Sequence, residues 1–206
     1  MKHSFAGRIW LILPLFLSLV TLNGCDLLNG DDGEPAPNGD AIDHDGNEYL
    51  TVVIGSQHWM AENLKTTRYA DGSIISHVTE HDQWGTTTSG AYSWFNNERE
   101  EYGVVYGALY NWYAVQTGKL CPSGWRVPSD EDWKLLEASV DSQFGHGHEV
   151  WDVVGFRGHD VGVRLKSTSG WDEHGNGSDQ FEFRALPGGY RDYSGLFHSV
   201  RNGGYW

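Results

Sequence analysis

Residues 120–133 read LCPSGWRVPSDEDW, and the second half of this stretch contains every signal of a helix start. Ser129 fits the N-cap position, and Asp132 three residues later completes an Asp version of the capping box. The acidic residues 130–132 occupy the first turn, where the positive end of the helix dipole favours carboxylates. We therefore predict a helix that begins here, and its carboxylates have a structural role that weakens the case for acid–base chemistry.

The residues around this helix start support the same interpretation. Trp133, Leu136 and Val140 recur at i, i+3 and i+7, so the predicted helix has one apolar face. Cys121 is a candidate nucleophile, but we predict a packed, small apolar residue rather than a reactive thiolate. The stretch is therefore predicted to build the fold rather than to catalyse a reaction.

Turn pairs and a β-rich run predict a hairpin at the start of the folded part. Residues 43–47, DHDGN, indicate a turn, and residues 49–54 and 57–60 are predicted to pair across a second turn at 55–56. The first turn is faintly similar to a calcium loop. Ile54 stands where such a loop needs its last carboxylate, so the turn is favoured over a metal site.

A second helix is predicted over residues 107–116, where the apolar residues are spaced for a single face. The residues on that face are Leu109, Trp112, Tyr113 and Gln116. The tryptophans predicted to fill the core are Trp59, Trp112, Trp125 and Trp133.

The later part of the chain is rich in glycine, histidine and aromatic residues. Residues 160–167 and 181–186 are predicted to be short strands, with a long loop over residues 167–179 between them. Several short strands after helices indicate an α+β fold with much irregular structure.

The N-terminus is typical of a bacterial lipoprotein signal peptide over residues 1–24. Two basic residues precede an apolar run at residues 9–20, which is shorter than the ~20 residues that a bilayer anchor needs. Residues 22–25, LNGC, are similar to a lipobox, after which a signal peptidase cuts and a diacylglyceryl group is attached to Cys25. The alternative is an ordinary secretory peptide with a chance cysteine. The predicted partner of acylated Cys25 is the lipid bilayer.

Residues 25–40 are acidic and rich in glycine and proline, so we predict a flexible tether that leaves residues 41–206 as one domain. Without residues 1–24 the chain keeps 12 basic and 28 acidic residues, a formal net charge of about −16. Such a chain is repelled by nucleic acid and by anionic headgroups. The predicted location is the cell envelope, with the outer membrane favoured and the face of the membrane left open.

The cysteine count and the absence of catalytic motifs limit the chemistry. The sequence contains two cysteines, so if Cys25 carries lipid then Cys121 has no partner for an internal disulfide, and a four-cysteine metal site is excluded. No Walker loop, Gly-x-Ser-x-Gly elbow or His-Glu-x-x-His motif occurs in the sequence. We therefore predict no catalytic residue, no metal and no cofactor. The histidines that could in principle share a metal are His146, His148, His159 and His174.

Four segments together resemble the Fibrobacter succinogenes major paralogous domain, which is found in many bacterial lipoproteins and secreted proteins. They are IGSQHWMAENLKTTRYADGSII (54–75), YGALYNWYAV (106–115), LCPSGWRVPSDEDWKLLE (120–137) and ALPGGYRDYSGLF (185–197). The third segment is also similar to the Arg-Leu-Pro-Thr-Glu-x-Glu-Trp signature of the formylglycine-generating enzyme superfamily.

The resemblance implies a C-type-lectin-like α+β fold, with two main helices on a small twisted antiparallel sheet and long irregular loops. It also implies a last strand beyond the Gly-Gly-Tyr-Trp region, whereas this sequence stops at Trp206. We therefore expect a C-terminal truncation or a degenerate member of the family.

The function favoured by the sequence is a non-catalytic binding or adhesion module for a glycan or a cell-surface protein. Aromatic rings beside Asp, Asn and Arg suit the faces of sugars and peptides. The candidate ligand-binding residues are Trp151, Trp171, Tyr190, Arg191, Tyr193 and Phe197.

Two other functions stay open. One is a relative of formylglycine-generating enzymes with residual activity. The resemblance implies that such chemistry needs a copper-binding pair of cysteines in the C-terminal part, which this sequence lacks, so we predict that the protein is not an enzyme. The other is a purely structural envelope protein with no small ligand.

Overall fold

The computed structural model describes residues 41–172 and 174–201. The predicted signal peptide, Cys25 and the tether lie outside the described residues. Over the described ranges, no helix combines the length and the apolar character that crossing a membrane requires.

Short strands pair into four small sheets in the described ranges. The strands are β1 (Ala41–Ile42), β2 (Glu48–Tyr49), β3 (Thr51–Ile54), β4 (Gln57–Met60), β5 (Ser76–His77), β6 (Ala91–Ser93), β7 (Leu109–Tyr110), β8 (Gly188–Arg191) and β9 (Phe197–Val200). The pairs β1–β2, β3–β4, β6–β7 and β8–β9 are antiparallel, whereas β5 lies parallel to β6. The described residues therefore differ from the single antiparallel sheet that was predicted.

The helices are short apart from one. They are α1 (His81–Thr86), α2 (Val104–Tyr106), α3 (Trp112–Gln116), α4 (Asp130–Val140) and α5 (Val161–Leu165). Only α4, with 11 residues, exceeds two turns among the described helices. Helices and strands are mixed with much irregular backbone, which supports the α+β class, but one main helix is described where two were predicted.

The start of α4 confirms the capping box predicted from the sequence. The Ser129 hydroxyl accepts a hydrogen bond from Asp132 N at 3.3 Å, and the Asp132 carboxylate accepts one from Ser129 N at 2.7 Å. Arg126 donates to both oxygens of the same carboxylate at 2.6 Å. Asp132 therefore joins the incoming segment to the first turn of the helix.

The apolar face of α4 packs against the first hairpin, which is also confirmed. Leu136 and Val140 form a core cluster with Ile54 and Trp59 from that hairpin. The Trp59 ring lies 5.0 Å from the Trp133 ring, which extends this cluster toward the helix start. A second cluster, around Ile75, Tyr92, Trp94 and Leu120, fills the space beneath the three-stranded sheet.

The helix predicted over residues 107–116 is wrong in its first half. Gly107 adopts a φ of 72°, and the two residues of β7 pair with β6 instead of turning into a helix. The helix starts only after Asn111, whose side chain caps it by accepting from Ala114 N at 3.0 Å. Trp112 is 66% exposed, so its assignment to the core is also wrong. Pairing between strands has overridden the local apolar pattern.

The strands predicted over residues 160–167 and 181–186 are also wrong. The first segment contains α5, which is supported by an ion pair from Arg164 Nε to Asp160 at 2.9 Å. The second segment makes a single isolated bridge, between Lys166 and Ala185. Alternating β-branched residues in VGVRL favoured a strand, but the i,i+4 ion pair and packing on α4 stabilise a helical turn.

The predicted turn at residues 43–47 is confirmed, and the Asp43 carboxylate lies at its centre. Asp43 Oδ1 accepts hydrogen bonds from Asp45 N and Asn47 N, both at 2.9 Å. Its other oxygen accepts from the Tyr49 hydroxyl at 2.5 Å. Burial and this hydrogen bond to Asp43 raise the pKa of Tyr49, so the phenol remains a donor.

Cys121 is buried, as predicted, but it is not a lone thiol. Its side chain is engaged in a disulfide, and the one other cysteine of the sequence, Cys25, lies outside the described residues. This finding corrects the expectation that Cys121 has no disulfide partner. A disulfide sulfur is not a thiolate nucleophile, and the non-catalytic role of Cys121 stays a prediction.

Candidate ligand-binding site

A cavity of about 450 Å³ lies between β4, β7, the start of α4 and β8. We call it the aromatic cavity, because seven of its 21 lining residues carry aromatic rings. Its rings include Trp59, Trp84, Tyr106, Tyr110, Trp133 and Tyr190. A volume in this range accommodates a small ligand, and ligand sites are typically apolar clefts with a few placed polar groups.

Asn63 supplies the most unusual polar group in this wall. Its side-chain nitrogen donates to Tyr106 O at 2.8 Å, which fixes the orientation of the amide. Its side-chain oxygen, Oδ1, is buried and has no hydrogen-bond partner among the described residues. A buried acceptor without a donor costs free energy, so Oδ1 is an unsatisfied polar atom covered by the protein beside the cavity.

Arg191 holds the hairpin formed by β8 and β9 against the wall of the cavity. Its guanidinium lies 4.5 Å from the Trp84 ring and 4.6 Å from the Phe197 ring. It donates to Val78 O at 2.6 Å, to Thr79 O at 2.8 Å and to Gly195 O at 2.8 Å. Burial lowers the pKa of Arg191, although nearby carboxylates oppose the shift. Arg191 is therefore committed to the hairpin, and it shapes the cavity wall.

The turn of the same hairpin is built on Asp192. Its Oδ1 accepts hydrogen bonds from Ser194 and Leu196, and its Oδ2 lies 2.8 Å from His198 Nε2. Hydrogen bonds from Ser194, followed by that from His198, hold the pKa of Asp192 below its ordinary value. Tyr193 at the tip is 90% exposed, so it is presented to solvent on a fixed turn.

The structure brings together only part of the residue set predicted for ligand binding. Tyr190 and Arg191 line the aromatic cavity, while Tyr193 and Phe197 lie on the same hairpin outside its lining. The remaining two, Trp151 and Trp171, lie elsewhere in the fold.

Trp171 and Trp151 are each held by their own hydrogen bonds. The indole of Trp171 donates to Ser167 Oγ at 3.2 Å and to Ala185 O at 3.1 Å, and Lys166 Nζ lies 4.5 Å from its ring. Trp151 is 3% exposed and donates to Gly145 O at 2.9 Å. These contacts give both rings a place in the packing of their loops.

Sequence reasoning missed most of the cavity wall. Trp59 and Trp133 were assigned to the core, and Asn63, Trp84 and Tyr106 carried no local signal of a site. The wall combines residues from distant segments, so only the pairing of strands and the packing of α4 bring them together. No local pattern points to Asn63, which follows Glu62 three residues after the end of the first hairpin.

The four loop histidines do not form a cluster. The centre of the His148 ring lies 4.6 Å from that of Phe144, with the rings tilted by 40°, and His146 Nε2 lies 3.3 Å from Ser139 Oγ. His159 N donates to Asp141, and His174 adopts a φ of 66°. Nowhere in residues 41–172 and 174–201 do three His, Cys, Asp or Glu side chains come together as a metal site requires.

Residues 52–206 match the family described as the Fibrobacter succinogenes major domain, so the chain belongs to that family. No curated protein and no solved structure matches it.

Proposed function

We propose that this chain, as a member of the Fibrobacter succinogenes major domain family, is a non-catalytic binding or adhesion module whose ligand enters the aromatic cavity. The observation that carries the proposal is the set of seven aromatic rings that line one cavity together with the Glu62 carboxylate. Aromatic faces suit the C–H surfaces of a sugar, and the carboxylate can accept a hydrogen bond from a hydroxyl group. A carbohydrate is therefore the ligand class that we assign.

The proposal includes a C-type-lectin-like arrangement of the domain. Its support is the small sheets, the single long helix and the extended irregular segments of the described residues. In such an arrangement a compact base displays loops, and fold alone does not determine which ligand the loops bind.

We also propose that acylated Cys25 anchors the domain in the cell envelope, in the outer membrane. The lipobox-like residues 22–25 and the preceding apolar run support this anchor. Each buried methylene of an acyl chain adds ~0.8 kcal/mol of membrane affinity, so two or three chains hold a protein firmly. The Cys25 sulfur can form either a thioether to diacylglycerol or a disulfide, but not both. An experiment that identifies the bond at Cys25 therefore tests the anchor.

The anchor is tested by growing cells with radiolabelled palmitate and expressing the wild-type chain and the Cys25→Ala variant. We expect label in the wild type alone. Peptide mass mapping of the same samples without reduction reports whether Cys25 occurs in a disulfide-linked peptide. An unlabelled wild-type chain whose Cys25 is found in such a peptide would overturn the anchor.

Ligand binding is tested with a glycan array and a matched pair of glycine variants. A Cβ at Gly188 would lie 3.4 Å from Asn63 Nδ2 and 3.5 Å from Tyr106 O, so Gly188→Ala places a methyl group in the wall of the cavity. A Cβ at Gly145 would meet nothing within 4 Å, so Gly145→Ala is the control. We expect saturable binding by the wild type, at least tenfold weaker binding by Gly188→Ala and unchanged binding by Gly145→Ala.

Urea midpoints of both variants accompany the array, so that a folding defect is separated from a blocked cavity. Equal binding by the two variants would show that the ligand does not bind in the aromatic cavity. A blank array with a folded wild-type chain would favour a purely structural envelope protein.

A further inference from the structure

A second cavity, of about 310 Å³, borders the aromatic cavity along Glu62, Asn63 and Leu186. Its wall comes from four separate stretches: residues 61–65, residues 104–107, residues 167–169 and residues 179–186. Asn63 lines both cavities, whereas the rings of the aromatic cavity take no part in this one. We call it the polar cavity, because hydroxyl and charged side chains form much of its wall.

Four charged side chains, two of each sign, line the polar cavity: Glu62, Lys65, Asp179 and Arg184. No ion pair joins any two of them within the described residues. Charges on the wall of a concave site lose part of their hydration, so they gain from a partner of opposite sign. The wall thus carries equal numbers of positive and negative charges, and these charges do not form ion pairs with one another.

Three of these side chains are positioned by a contact that leaves charge available. Glu62 accepts a hydrogen bond from Leu50 N at 2.9 Å through one of its two oxygens. Lys65 Nζ lies 5.3 Å from the centre of the Tyr49 ring. Asp179 accepts from Arg184 N at 2.8 Å, which orders the loop that carries both residues.

The loop that forms one side of the polar cavity has a fixed and costly backbone. Asp179, Glu182 and Arg184 adopt φ values of 47°, 57° and 58°, in the left-handed region that favours glycine. Backbone bonds hold this shape, from Asp179 N to Lys166 O at 3.1 Å and from Ala185 N to Leu165 O at 3.0 Å. The side chains of Asp179 and Arg184 are therefore carried on a preformed rim.

We propose that the polar cavity binds a small zwitterion of the α-amino acid class. A ligand with one charge would face a wall charge of the same sign, and a neutral ligand would neutralise none of the four charges. A molecule with an ammonium and a carboxylate can satisfy Glu62 or Asp179 and Lys65 or Arg184 together.

The test is calorimetric titration of the mature chain with L-serine and L-glutamine, and with acetate, methylamine and glucose for comparison. We expect saturable binding of at least one amino acid, and at least tenfold weaker binding of acetate, methylamine and glucose. Binding of glucose alone, or of one singly charged ion as tightly as an amino acid, would overturn the proposal.

Two arginines provide a matched pair of variants. Arg184 lines the polar cavity, and Arg201 is an exposed arginine outside it with a similar φ of 71°. Asparagine tolerates a left-handed backbone, so Arg184→Asn and Arg201→Asn both remove a guanidinium without new strain. We expect at least tenfold weaker amino acid binding in Arg184→Asn and unchanged binding in Arg201→Asn; equal affinities would exclude Arg184 from the site.

Glu62→Gln tests the opposite charge. Glutamine keeps an oxygen that can accept from Leu50 N, so the backbone contact survives while the negative charge is lost. We expect tenfold weaker amino acid binding, and we expect acetate to bind no more weakly than the amino acids do.

Arg184 lines the polar cavity and not the aromatic cavity, so the two proposals can be distinguished. Arg184→Asn should leave the glycan array unchanged, so a glycan-binding chain that gives no heat with any amino acid would refute the polar cavity alone.

Discussion

The start of α4 and the hairpin of β8 and β9 are both organised by one charged side chain, but the partners differ in their distance along the chain. Asp132 bonds to Ser129 and Arg126, which lie three and six residues away. Arg191 donates to Val78 and Thr79, which lie 113 and 112 residues away. A charged group thus orders local structure in one region and joins distant segments in the other.

The largest effect on stability should come from removing the contacts between Arg191 and distant segments of the chain. Arg191→Ala leaves three carbonyl oxygens without their donor and two rings without a cation, so the free energy of unfolding should fall by about 3–5 kcal/mol. Urea unfolding followed by tryptophan fluorescence measures the loss. Arg191→Lys keeps the charge but not the planar fork, and should lose about half as much. A loss below about 1 kcal/mol in Arg191→Ala would show that the hairpin is held by other contacts.

A smaller effect on stability should follow from removing the local contacts of Asp132 at the start of α4. Asp132→Ala removes the reciprocal cap and the two hydrogen bonds from Arg126 to the carboxylate, so we expect a loss of about 2–4 kcal/mol. Ser129→Ala removes only the hydroxyl part of the cap and should cost about 1 kcal/mol. Equal losses in the two variants, measured as urea midpoints, would show that the Arg126 ion pair contributes little.

The pH dependence of the free energy of unfolding should reflect the same contacts of Asp132. Burial opposes ionisation of Asp132, but hydrogen bonds from Ser129 and the Arg126 guanidinium outweigh it and lower its pKa. Because the folded-state pKa is the lower one, the stabilisation is complete above the ordinary Asp pKa of about 4. It is lost as the pH falls through the folded-state value. The urea midpoint should therefore fall on acidification below about pH 4, and it should fall less steeply in Asp132→Asn.

The smallest effect should come from the tryptophan that the sequence assigned wrongly to the core. Trp112→Ser should change the free energy of unfolding by less than about 0.5 kcal/mol, because the ring is 66% exposed. Trp59→Ser is the matched comparison and should cost about 3–5 kcal/mol, since that ring is 3% exposed in the main core. A large loss in Trp112→Ser would mean that its ring is covered in solution.

The comparison also explains how much of the molecule could be predicted. The α4 start, the first hairpin and the turn at Asp43 were predicted because their determining partners lie within a few residues. The helix at residues 107–116 failed because β7 pairs with β6, and α5 was mistaken for a strand because Asp160 and packing on α4 decide its shape. The aromatic cavity was not predictable for the same reason, since Asn63 and its neighbouring rings meet only after distant segments pack.

The three left-handed residues at positions 179, 182 and 184 imply a trade-off between heat resistance and pre-organisation. Each non-glycine residue in this conformation costs about 1–2 kcal/mol, and glycine would remove much of that cost. A sequence shaped by thermostability alone would carry glycine there, yet this chain keeps an aspartate, a glutamate and an arginine. Glycine replacements should thus raise the melting temperature while loosening the rim on which Asp179 and Arg184 stand.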